Sequence, residues 1–210
     1  MARFLAFQHT GMYRLNFDNL DGDMMKLAFA EPVPEAFHTP MGNWGPRSGY
    51  GGGAPVSPEN LPTKMRVSGR KKQLVDFNVA YHIYFVSRRF IDIVERFQTE
   101  LQYFPVDCVW KDKSPAGVRY FFFTTVMVDA VVREKTTSRW TPTLPGKGLW
   151  QPELHLGETF TFDMARLVGR HLWMDPHMTN EWALVSDALY AALREEKIES
   201  FHESPHFAEI

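Results

Sequence analysis

A strand–serine–helix pattern occurs twice in this chain, and it constrains the fold more than any other feature. Residues 84–97 read Tyr-Phe-Val-Ser-Arg-Arg-Phe-Ile-Asp-Ile-Val-Glu-Arg-Phe, and residues 183–196 read Ala-Leu-Val-Ser-Asp-Ala-Leu-Tyr-Ala-Ala-Leu-Arg-Glu-Glu. In each, an apolar pair leads into Val-Ser and helical periodicity follows. A serine hydroxyl can accept a hydrogen bond from a first-turn N–H that has no partner inside the helix, so Ser87 and Ser186 are predicted N-caps. Phe90, Ile93, Val94 and Phe97 then fall at i, i+3, i+4 and i+7 and share one face of a helix over 88–98. The second helix is expected from Asp187 to Lys197, with Leu189, Ala192 and Leu193 inward.

Strand signals surround these units. Residues 81–86 read as a strand, as does Leu101 to Val109, where Pro105 marks an edge or a bulge. Lys111 to Gly117 is a turn. Val118 to Val132 is a long β-branched and aromatic run and gives the strongest strand signal in the chain. His171 to Met174 reads as a strand, Phe160 to Val168 is ambiguous, and the tail from Ile198 to Ile210 can add a last strand. Near the start, Phe4 to Phe7, Met12 to Phe17 and Met24 to Ala30 suggest strands with a turn at residues 18–22. Two stretches read as loops: 31–63, with seven prolines and the glycine-dense run Gly42 to Gly53, and 134–160, with Pro142, Pro145 and Pro152. The expected fold is α+β, a mixed or mainly antiparallel sheet covered by the two Ser-capped helices. Residues 64–210 form the main domain, and 1–63 form strands and a Gly/Pro-rich loop region packed on it.

Charge separates the two units. Residues 61–100 hold eight Lys/Arg against four Asp/Glu, and residues 181–210 hold two against seven. Helices of opposite sign form either an internal salt-bridge seam, the commoner outcome, or a polar surface for a charged partner. The whole chain of 210 residues has a formal charge of −2, which does not advertise a nucleic-acid partner. The basic segment 64–72 reads as a solvated patch. Cys108 is the only cysteine, so no intrachain disulfide can form. It lies in an apolar run and reads as a buried thiol in a chain suited to a reducing compartment. The N-terminal apolar run is too short for a secretory signal, and no stretch approaches the roughly 20 apolar residues of a membrane span. The expected location is cytoplasmic, with no membrane partner.

The catalytic motifs fail on their own chemistry. His202-Glu203-Ser204-Pro205-His206 matches H-E-x-x-H, which needs both histidines on one helical face. Pro205 sits inside that turn, where it costs about 3 kcal/mol or more. His171, Asp175 and His177 could ligate a metal, but a strand ending in an Asp-Pro turn explains them more simply. Gly49 to Gly53 lacks the Lys-Ser/Thr of a phosphate-binding loop, and no G-x-S-x-G elbow is present. Asp129 and Glu134 form a carboxylate pair without a pocket. No catalytic, cofactor or metal residues are assigned. Aromatics and arginine in the loop-like regions are the residue types that anchor protein interfaces. Trp44, Arg47 and Tyr50, with Trp140 and Trp150, are therefore the candidate binding residues, each with folding back over the core as its alternative.

Phe85-Val86-Ser87, then Tyr103-Phe104-Pro105-Val106, Met127-Val128-Asp129-Ala130, Thr136 to Ser138 and Leu184-Val185-Ser186 occur in an order and spacing that resemble immunity protein family 11 of bacterial polymorphic toxin systems, formerly a domain of unknown function. The likeness covers residues 75–210. It departs at Arg133, near which similar proteins carry an acidic residue, and at Lys135-Thr136, where they have Lys-Ser. The resemblance implies a non-enzymatic protein that binds and neutralises a cognate toxin effector domain. An enzyme with a dispersed site, such as a hydrolase or transferase, and an adaptor of a secretion system are the alternatives. Homo-oligomerisation stays open.

Overall fold

Strands with two buried faces need uninterrupted apolar residues, and this requirement locates the centre of the molecule. In the computed structural model, which describes residues 2–4, 26–32, 55–68, 74–80, 83–97, 100–144, 147–151, 159–177, 183–198 and 207–209, Ile83–Val86 is such a strand, with all four residues buried. In chain order the strands are β1 (Ala2–Phe4), β2 (Lys26–Phe29), β3 (Lys64–Ser68), β4 (Phe77–Ala80), β5 (Ile83–Val86), β6 (Leu101–Val109) and β7 (Pro115–Thr124). They continue with β8 (Arg139–Leu144), β9 (Lys147–Gln151), β10 (Phe160–Phe162), β11 (Leu172–Trp173), β12 (Leu184–Ser186) and β13 (Phe207–Glu209). Helix α1 (Arg88–Glu95) follows β5, and α2 (Asp187–Glu195) follows β12.

The main sheet has six strands in the order β2-β3-β6-β7-β5-β4. Only β3 and β6 run parallel; every other pair in it is antiparallel. A three-stranded antiparallel sheet, β1-β12-β11, carries the second Val-Ser unit, β8 and β9 form a hairpin, and β10 pairs with β13 in parallel. The α+β class with a mixed sheet and two Ser-capped helices is as expected from the sequence. Strands β1 and β2, from the first 63 residues, pair with β12 and β3.

Both caps form. Ser87 Oγ accepts the Phe90 N–H at 3.1 Å, and Ser186 Oγ accepts the Leu189 N–H at 3.2 Å. Phe90, Ile93 and Val94 of α1 and Leu189 and Leu193 of α2 pack into one cluster with Tyr84, Val86 and Phe122 from one face of the main sheet. Phe90 lies 5.5 Å from both Phe77 and Phe122. The two units are tied directly: the N–H of Ala183, just before β12, donates to the Tyr84 hydroxyl at 2.6 Å. The opposite face carries Ile83, Phe85, Phe121, Phe123 and Cys108, packed with Met65, Val67, Val56 and Leu61. Burial there pushes the Cys108 thiol up to about 12, so it is an inert core residue.

Strand β6 covers the expected range, and a bulge lies at Cys108/Val109. Asp107 donates its N–H to Thr63 on the β3 side. Amides two residues apart point the same way, so the missing N–H of Pro105 faces that side beyond the end of β3, where no ladder bond is lost. The turn is shorter than expected, and β7 already begins at Pro115. Two expectations are corrected. The strand predicted through Val132 ends at Thr124, whose hydroxyl accepts the Val126 N–H at 3.3 Å and turns the chain out of the sheet. The region 134–160 is not simply loop: it holds a 3-10 turn at Arg133–Lys135 and the β8–β9 hairpin, in which Pro142 sits opposite Gly148. The residues 5–25, with their expected strands and turn, the Gly42 to Gly53 run and the His202–His206 motif lie outside the described residues.

Candidate functional site

Once the chain leaves β7 it builds a second packed region. Val126, Ala130 and Val131 bury against Trp150, Phe160, Phe162, Leu167, Trp173 and Leu184. Threonines fix the chain that follows. Thr136 Oγ1 donates to the Val132 carbonyl at 2.9 Å and accepts the Thr161 N–H at 3.1 Å. Thr161 Oγ1 donates to the Lys135 carbonyl at 2.8 Å, and Thr137 Oγ1 accepts the Thr159 N–H at 2.8 Å. These bonds seat the 3-10 turn Arg133–Lys135 against β10, so the Thr136 to Ser138 cluster has a structural role.

The hairpin places Trp140 directly across from Trp150, with ring centroids 4.8 Å apart and planes at 66°. Trp150 is only 3% exposed and forms the floor, whereas Trp140 is half-buried at the surface. Gly148 allows this arrangement, because a Cβ there would lie 2.3 Å from Trp140 Cε2. The Arg133 guanidinium covers the Trp140 ring at 4.7 Å from its centroid, and the His177 ring meets Trp140 at 5.4 Å.

His177 is the hub of the inner edge. Its carbonyl accepts the Trp150 N–H at 2.7 Å, and its Nδ1 lies 3.2 Å from the Gly148 carbonyl. Its Nε2 is 3.8 Å from Asp129 Oδ2. Its N–H donates to Asp175 Oδ1 at 2.8 Å, which closes the Asp-Pro turn foreseen in the sequence. Asp175 is 2% exposed, and among the described residues its Oδ2 has no hydrogen-bond partner. Burial raises its pKa from 3.8 to about 6, although the His177 amide holds it down in part. His171 is engaged elsewhere, with Nδ1 2.9 Å from Ser186 Oγ. Among the described residues no group of three His, Cys, Asp or Glu side chains is placed to hold a metal ion.

Of the candidates named from sequence, the structure therefore joins Trp140 and Trp150. Trp44, Arg47 and Tyr50 lie outside the described residues. Arg133 was not among the candidates. Its stacking on Trp140 depends on a 3-10 turn and a threonine clasp that leave no periodic trace in the sequence.

The charged helices meet in a seam. Glu196, just after α2, lies 3.7 Å from Arg89 and 3.6 Å from Arg96 on the α1 side. Arg88 binds Asp92 at 2.7 Å and Glu95 at 2.9 Å, and also covers Tyr103. The seam between the two units runs through Glu196, while the Arg88 pairs lie within α1.

A family model described as Immunity protein family (Imm11) matches residues 23–204. The chain belongs to that family. The match runs from before β2 to beyond α2, so it spans both Val-Ser units, the main sheet and the Trp140 region. No curated protein matches the chain. No helix among the described residues is long and apolar enough to cross a membrane.

Proposed function

We propose that this chain is a non-catalytic immunity protein that binds a cognate bacterial toxin effector domain and neutralises it, in the cytoplasm of the cell that makes the toxin or its kin. Membership of the immunity protein family carries this reading. The surface chemistry agrees with it. Trp140 and Arg133 form an aromatic–guanidinium pair at the surface, a combination enriched at the centres of protein interfaces. Trp44, Arg47 and Tyr50 add the same residue types on the Gly/Pro-rich segment, and Trp150 acts by holding the Trp140 ring in place. Inhibition follows from covering the toxin's active site or from trapping an inactive state.

The test is co-expression with a candidate cognate toxin, the C-terminal domain of a large secreted protein where the neighbouring gene encodes one. Cells producing the toxin domain alone die, and cells that also produce this chain survive. Equal killing in the presence of soluble, folded chain overturns the reading.

A further inference from the structure

We infer that the segment Arg133–Trp140 is the docking surface for an acidic face of the partner protein. The inference rests on the immunity reading and specifies the chemistry that the toxin must present. Residues 133–140 carry three cations, Arg133, Lys135 and Arg139, against one carboxylate, Glu134, a net charge of +2. All four are exposed. Among the described residues, no carboxylate lies within ion-pair distance of any of the three cations. Five arginines elsewhere find partners, whereas Arg66 and Arg194 have no ion pair among the described residues. Arg88 is matched within α1, Arg89 and Arg96 are matched in the helix seam, Arg170 binds Glu100 at 2.9 Å, and Arg166 lies 3.4 Å from Asp163. The strip differs from Arg66 and Arg194 in gathering three such cations within seven residues.

The geometry states what such a strip can bind. A guanidinium stacked on an indole uses its flat face, and its N–H edge stays free for a carboxylate, which it can bind through two parallel bonds. The Arg133 guanidinium carbon lies over the Trp140 ring, 4.7 Å from its centroid. The backbone beneath it is pinned by Thr136, Thr137 and Thr161, so little ordering remains to be done on binding. Trp140 is itself supported by Trp150 and lies against Gly148. A protein surface with two or more carboxylates next to an apolar side chain would meet both features. Arginine and tryptophan also suit single-stranded nucleic acid, but that ligand needs a basic groove tracking many phosphates. Three cations on a chain of net charge −2 supply no such groove.

The test measures binding of the full chain to the toxin domain used for co-expression, inactivated at its catalytic residue. Arg133→Glu and Arg139→Glu are each expected to weaken binding about tenfold or more, and the double variant further, with unchanged melting temperature. Raising salt from about 0.1 to about 0.5 M should weaken the wild type much more than the double variant. If a glutamate variant melts early, Arg133→Gln removes the charge without reversing it and is expected to weaken binding less. Wild-type affinity in a folded double variant, while the wild type still protects cells, overturns this surface and leaves the immunity reading standing. A wild-type chain that neither binds nor protects removes both. Tighter binding to a single-stranded RNA of about 12 nucleotides than to the toxin domain replaces the protein partner with nucleic acid.

Discussion

The helix-covered face of the main sheet and the region around Trp150 are both well packed, yet they treat polar groups in opposite ways. Between the helices and the sheet, the serine caps, the Tyr84 hydroxyl and the arginines of the seam have partners. Among the described residues, the three buried side-chain polar atoms without a partner are Thr141 Oγ1, Trp173 Nε1 and Asp175 Oδ2. All three lie in or beside the Trp150 region. Leaving a buried polar atom unpaired costs about 1–3 kcal/mol, and native proteins rarely do so without a reason. The contrast separates a region whose buried polar groups are paired from one in which three are not.

The sharpest way to break this contrast is to empty the helix-side core. Phe90 is fully buried and contacts the rings of both Phe77 and Phe122. Phe90→Ala is expected to cost about 3–5 kcal/mol, a large part of the stability of an ordinary domain. Denaturant unfolding followed by circular dichroism measures it. A loss below about 1 kcal/mol would mean that this face does not anchor the fold.

Asp175 gives the next largest effect, and its sign is opposite to that of a salt-bridged carboxylate. Its pKa rises from 3.8 to about 6 on folding, so between these values the native state binds more protons than the unfolded state. Its contribution therefore becomes more favourable as pH falls through 6 and is complete below 3.8. At neutral pH the buried charge costs about 2–3 kcal/mol relative to its protonated form. Asp175→Asn removes the charge and keeps the acceptor for the His177 N–H. The variant is expected to exceed the wild type in stability at pH 7, with the difference shrinking as pH falls to 4. A difference that does not change with pH would show that the carboxyl ionises as freely as it does in water.

The helix side of this comparison was legible in the sequence, and the Trp150 side was largely not. A cap and an amphipathic face are local: Ser87 speaks to Phe90 three residues on, and Ile93 and Val94 follow at helical spacing. Strand β6 was legible from Leu101 to Val109 because its apolar run is bounded by a turn. The β8–β9 hairpin was hidden by Pro142, which breaks a central strand but is tolerated on β8, whose outer side pairs with no other strand among the described residues. The end of β7 depends on one side-chain bond from Thr124. The approach of His177 to Asp129 joins residues 48 positions apart, and only the fold makes that pairing. Family membership fits the ordered motifs from Phe85 to Ser186, which lie within the matched span.

The smallest effect belongs to the seam, and it separates ion pairs that shape the surface from those that stabilise it. Glu196 serves Arg89 and Arg96, but all three side chains are 43–55% exposed. Charges this wet gain little from one another, and salt screens them further. Glu196→Ala is accordingly expected to cost below about 1 kcal/mol, and less again in about 0.5 M salt, measured by the same denaturant curves. It should leave toxin binding untouched, because the seam's cations are not those of the Arg133–Trp140 strip. Binding that falls with Glu196→Ala as far as with Arg139→Glu would erase the distinction between the two regions. A loss of several kcal/mol would instead show that the seam clamps the two helices together, a structural role that its exposure does not support.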